Sequence, residues 1–196
     1  MRFCTLLLVR HGETDWNAEQ RWQGQCDVPL NETGRAQARR LGARLARLWE
    51  QGALPRPTRL LVSDLSRAVE TAQLLNVAPL LETDLRLRER GFGSWEGKTS
   101  AEVGHAPGSR ERASDAESIE SVWERMRAVT EPLEGVVLIV GHGGALRALL
   151  AHAAGHGPEG MRHFTLANTS LSVVSYAPQD SKLLRLNDIA HLEDGI

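Results

Sequence analysis

The chain has 196 residues, a formal net charge of -2 and a sequence pI near 6.4. That length suits one domain with a substantial core, and the charge balance carries no bulk signature for nucleic acid or an anionic membrane surface. No apolar run approaches the ~20 residues of a membrane span, and Met1-Arg2 leads into a strand without a signal-peptide apolar region.

Lys98 and Lys182 are the only lysines, so the positive charge is almost all arginine. Arginine's fixed charge and fork of donors suit phosphate wherever one points inward. Cys4 and Cys26 are the only cysteines, with no metal-type pair, and read as reduced residues of a cytoplasmic protein.

Taken in order, Leu6-Leu7-Leu8-Val9 is an apolar run ended by Arg10-His11-Gly12, the pattern of a fully buried strand. The polar and aromatic segment from Glu13 to Pro29 is long for a connector, which points to function. Asn31 reads as an N-cap, and Ala38, Leu41, Leu45, Leu48 and Trp49 keep helical spacing to about Gly52. Arg39, Arg40, Arg44 and Arg47 fall mainly off that stripe and read as a solvated face.

After Pro55 and Pro57, residues 59–63 read as a second strand, with Ser66 and Arg67 opening the helix behind it. The start of a helix offers free amide donors and a positive dipole end, so Arg67 is well placed to hold an anion. Residues 80–83 suggest a short strand. Gly91, Gly93 and Gly97 then alternate with Phe92 and Trp95, which suggests backbone packed close to something.

Residues 98–118 are polar and read as a capping excursion. Ile119, Val122, Trp123, Met126 and Val129 define an amphipathic helix ending near Pro132. Val136 to Val140 is a second apolar strand, again ended by His-Gly, in His142-Gly143-Gly144. Its helix is expected from Ala145 to about His152, and weaker strands near 172–175 and 183–186 close the chain. His152 and His156 have i,i+4 spacing, but Gly155 marks the helix end, so no metal site is read there.

Helices alternating with short buried strands predict one α/β domain over 1–196, in three α/β/α layers around a mainly parallel sheet. Two strands ending in His-Gly place two imidazoles at the sheet edge where ligands bind in such folds.

Five blocks now form a recognisable order. They are Arg10-His11-Gly12-Glu13-Thr14 with Trp16-Asn17; Gln23-Gly24 with Leu30 and Gly34; Ser63 to Ala68 with Thr71-Ala72; Glu89 with Gly93, Trp95, Glu96 and Gly97; and His142-Gly143. Together they resemble the histidine phosphatase superfamily, which includes phosphoglycerate mutases.

The resemblance implies that His11 is the nucleophile, forming a phosphohistidine. Arg10, Arg67 and His142 would hold the phosphoryl oxygens, with Asn17, Gln23, Gly24 and Gly143 lining the pocket. Glu89 would donate and accept the proton. It also implies a mainly parallel sheet between helices, with 98–118 as a small lid.

The chemistry of the residues agrees with these roles. Phosphoryl transfer needs in-line geometry and charge dispersal over three equatorial oxygens, which two arginines and a histidine can supply without a metal or other cofactor. Arg10 and Arg67 should depress the pKa of His11, whereas His142, facing the phosphate, should favour its charged form.

Cofactor-dependent mutases resemble the same pattern, but usually carry Tyr at the position of Phe92, a Lys near Ser100, a paired-arginine segment in the insertion and Asn-Ser at the position of Gly144-Ala145. The expectation is therefore a hydrolase of a small-molecule phosphate monoester. A mutase is the alternative, and a catalytically inactive phosphate binder ranks behind it. The natural substrate and the oligomeric state are not read from the sequence.

Overall fold

In the computed structural model, residues 4–104, 112–176 and 181–193 are described. Six strands form one sheet: β1 (Cys4–Arg10), β2 (Arg59–Val62), β3 (Leu81–Thr83), β4 (Gly135–Gly141), β5 (Leu171–Tyr176) and β6 (Lys182–Asp188). Their spatial order is β3-β2-β4-β1-β5-β6. The first four are mutually parallel, whereas β5 runs antiparallel to both of its neighbours.

The apolar runs are continuous because both faces of the sheet are covered. Leu7, Val9, Leu60, Val62, Leu138 and Val140 face α2 (Glu32–Glu50) and α3 (Ser66–Leu75). Leu6, Leu8, Leu61, Val137 and Ile139 face the other way, towards α4 (Ile119–Thr130) and α5 (Gly143–Ala153). Each such leucine or valine, removed from water, contributes about 1.5–3 kcal/mol.

Local chemistry fixes the ends of these helices. The Asn31 side chain accepts the Gly34 N–H at 2.8 Å and caps α2 as expected. The Glu13–Pro29 segment contains a short helix that periodicity does not reveal, α1 (Asp15–Ala18). It is capped by Thr14 and Asn17 reciprocally. Helix α5 begins two residues earlier than expected, because His142 already has an extended N-cap backbone.

Pairing in the sheet sets the site. Arg10 pairs with Gly141 and Val62 with Val140, so β1, β2 and β4 end together at one edge. The loop after β1 lies tightly on α2, where a Cβ on Gly34 would overlap the Glu13 backbone. Of the stretch expected as a lid, residues 105–111 lie outside the described residues. Its flanks are tied down: Asp115 accepts the backbone N–H and hydroxyl of Ser94, and Glu117 pairs with Arg125 at 2.8 Å. Among the described residues no helix is long and apolar enough to cross a membrane.

Candidate active site

His11 follows the last residue of β1, and its backbone N–H donates to the Gly141 carbonyl at 2.9 Å. Its Nδ1 lies 2.6 Å from the Gly12 carbonyl oxygen. A carbonyl only accepts, so the proton sits on Nδ1 and the lone pair on Nε2. Burial, then the charges of Arg67 and Arg10, holds the ring well below the usual histidine pKa. A neutral imidazole with Nε2 free is the nucleophilic form.

Two arginines flank it. Arg10 donates through Nη1 to the Leu166 carbonyl at 2.6 Å, and its buried Nε has no hydrogen-bond partner among the described residues. Burial brings its pKa down to about 10, which still leaves it charged at neutral pH. Arg67, in the first turn of α3, is fully buried. It donates to the Cys26 carbonyl at 2.7 Å, the Gly24 carbonyl at 2.8 Å and His142 Nδ1 at 3.3 Å. Two of its five N–H groups remain. Gly24 can offer that carbonyl because it has φ +53, a conformation glycine adopts without strain.

Glu89 is held across from them by the start of α5. Its carboxylate accepts the backbone N–H groups of Gly144 at 3.0 Å, Ala145 at 3.2 Å and Arg90 at 2.8 Å. The free amides of a helix N-terminus fix the carboxylate in place.

The structure brings Arg10, His11, Asn17, Gln23, Gly24, Arg67, Glu89 and Gly143 to the wall of one cavity of about 300 Å³. His142 does not line it. Its ring lies 5.1 Å from that of His11, with Nε2 bound to Ser63 Oγ at 2.8 Å and Nδ1 accepting from Arg67. His142 thus faces Ser63 and Arg67 rather than the cavity. Complete burial, then the charges of Arg67 and Arg10, holds it well below the usual histidine range.

Several neighbours are not evident from the sequence pattern. Arg147 and Leu166 line the cavity. Behind it, Asn168 Nδ2 donates to the His11 carbonyl at 3.0 Å and to Asn17 Oδ1 at 3.2 Å. The backbone N–H of Thr169 donates to the Arg10 carbonyl at 3.0 Å from a left-handed conformation, and the Thr169 hydroxyl meets His191 Nε2 at 2.9 Å. Neither hydrophobic periodicity nor a short motif marks these positions. Both cysteines are free, and a hydrogen bond to Glu96, then burial, pushes the Cys26 thiol up to about 11.

The sheet edge thus carries a neutral histidine between inward arginines, whose fixed charges suit a phosphoryl group. Comparison with known proteins makes this specific: the chain belongs to the histidine phosphatase superfamily (branch 1), whose family model matches residues 6–189.

It is 33% identical over 201 residues to an uncharacterised phosphatase of Bacillus subtilis, covering 95% of this chain and 96% of that one. It is 34% identical over 214 residues to a probable phosphoglycerate mutase of Yersinia enterocolitica, covering 96% and 94%. The solved structure of a mycobacterial glucosyl-3-phosphoglycerate phosphatase superposes with a TM-score of 0.78 at 30% identity, covering 95% of this chain and 99% of that one.

Proposed function

We propose that this chain hydrolyses a small phosphate monoester through a phosphohistidine on His11. The observation that carries the reading is the His11 ring itself. With Nδ1–H committed to the Gly12 carbonyl, Nε2 keeps its lone pair, and His11 lines a cavity that Arg10 and Arg67 also line.

In the first step Nε2 attacks phosphorus in line with the ester oxygen. The N–P bond forms as the P–O bond breaks, and Glu89 delivers a proton to the departing alkoxide. In the second, Glu89 takes a proton from water as that water attacks phosphorus, the N–P bond breaks, and inorganic phosphate leaves. Arg10 and the two remaining donors of Arg67 stabilise the equatorial oxygens, with His142 holding the Arg67 Nε from behind. These groups supply the charge that a metal ion supplies elsewhere.

The relation to a probable mutase of Yersinia favours a second reading, in which the phosphoryl group returns to another hydroxyl of the substrate. Phe92 and Gly144-Ala145, where mutases usually carry Tyr and Asn-Ser, weigh against it.

The test is phosphate release from p-nitrophenyl phosphate in EDTA, with His11→Ala alongside. Metal-independent turnover that falls by roughly three orders of magnitude or more in the variant is expected. Turnover that survives in His11→Ala overturns the nucleophile assignment. Absent release, together with interconversion of phosphoglycerates, establishes the mutase reading instead.

A further inference from the structure

Beside the phosphate cavity lies a second one of about 240 Å³, lined by Trp16, Asn17, Gln20, Arg21, Trp22 and Ser100. Asn17, Arg21 and Trp22 belong to both. We propose that this cleft holds the leaving group of the ester, and that the leaving group is an uncharged, hydroxylated ring of the kind found in a sugar. The inference rests on the hydrolase reading and names its substrate class.

Three features support it. The aromatic walls are fixed before any ligand arrives. Trp22 packs on Phe92 with ring centroids 4.8 Å apart and on Trp95 at 5.8 Å. Its backbone N–H donates to the Lys98 carbonyl at 2.9 Å, and its own carbonyl accepts the Gly97 N–H at 2.8 Å. Trp16 lies against bare Gly97, where a Cβ would come within 3.2 Å of the indole. Rigid indole faces lose little conformational freedom on binding and suit the C–H face of a saturated ring.

Polar groups with spare hydrogen-bonding capacity rim these faces. Asn17 Oδ1 is engaged by Thr14 and Asn168, but its Nδ2 donates to no partner among the described residues. Arg21 uses Nε and Nη1 on Glu19, Gly97 and Glu102, and leaves Nη2. Gln20 holds its position on the rim from φ +57, which a non-glycine residue adopts only at a cost. A flat hydrocarbon ring would cover these groups without satisfying them, whereas ring hydroxyls pair with them.

Charge disfavours a second anion in this cleft. Arg21, the cation of the cleft, already pairs with Glu19 at 2.6 Å and Glu102 at 3.0 Å. The phosphoryl group is the part of the substrate that the arginines beside His11 address.

The experiment compares three primary alkyl phosphates of matched leaving-group chemistry: a hexose 6-phosphate, cyclohexylmethyl phosphate and propyl phosphate. We expect kcat/KM for the hexose ester to exceed that for propyl phosphate by about tenfold or more, with the cyclohexylmethyl ester between them. Ser100→Trp, which fills the cleft, should bring the hexose-to-propyl ratio close to one. A wild-type ratio of one or less, or a ratio unmoved by Ser100→Trp, overturns the assignment of the cleft. A cyclohexylmethyl ester as good as the hexose ester overturns the hydroxylated ring.

If no ester turns over, the hydrolase reading fails separately. Tryptophan fluorescence titrated with the same compounds then reads the cleft directly. Quenching selective for the hexose ester supports it, and equal or absent quenching overturns it.

Discussion

Gly144 decides how the Glu89 carboxylate is held. Its N–H is one of the donors on that carboxylate, and a Cβ there would run into Glu89 Oε1 while standing 3.5 Å from the Arg90 Cβ. Gly144→Ala should therefore displace the proposed proton donor without touching Arg10 or Arg67. We expect kcat to fall by roughly 10²-fold, the lower range for loss of a positioned acid, with competitive inhibition by inorganic phosphate retained. A variant with full kcat removes Glu89 from the mechanism. The identities of Arg10, His11, Arg67 and Glu89 as site candidates were legible in the sequence, since short motifs mark them. The direction of the His142 ring was not: Ser63 after β2 and Arg67 on α3 turn it, and neither contact is encoded near residue 142.

The elements were legible wherever an apolar period or a cap sets them. Continuous apolar runs reveal β1 and β4, and the Asn31 cap reveals the start of α2. Helix α1 escapes because its four residues span barely one turn and bury no residue completely. That β1 and β4 are neighbours is a long-range pairing which no local pattern contains. The crossing of α2 and α3 depends on an absent side chain, since a Cβ on Gly42 would stand 2.5 Å from the Leu75 carbonyl oxygen. An exposed helical glycine would gain about 1 kcal/mol of propensity on becoming alanine, but overpacking here costs about 1–3 kcal/mol. Valine gains less propensity and adds more volume. Gly42→Val should thus lower the denaturant midpoint with an unchanged slope, and a midpoint at or above wild type would show that the two helices simply move apart.

At the scale of the molecule, the site stores two buried neutral imidazoles, His11 and His142. An unfolded histidine titrates near 6.5, while burial and the arginines keep both of these well below that value in the folded state. The unfolded chain therefore binds more protons as pH falls below about 6.5, and the fold loses stability by up to about 1.4 kcal/mol per pH unit for each ring. Ordinary carboxylates remain ionised in the upper part of that window, so a comparison of denaturation midpoints at pH 7 and pH 5.5 isolates the histidines. We expect a lower midpoint at pH 5.5 and a shallower fall in His142→Gln; a flat profile would contradict burial of neutral rings. The three-layer plan was readable from alternating elements. The reversal of β5 was not, because strand direction is a long-range pairing that its apolar run does not encode, and the support from Asn168 and Thr169 was not, because they bind carbonyls rather than follow an apolar pattern.

That support has a consequence in time. The carbonyls of Arg10 and His11 are secured by Thr169 and Asn168, and the Arg10 guanidinium by the Leu166 carbonyl, all from residues more than 150 positions later in the sequence. The His11 end of β1 is therefore completed only after residues 166–169 have been made. A chain ended before residue 166 carries His11 without the frame that aims it, so the geometry around this ring is set by the approach to β5 rather than by β1 itself.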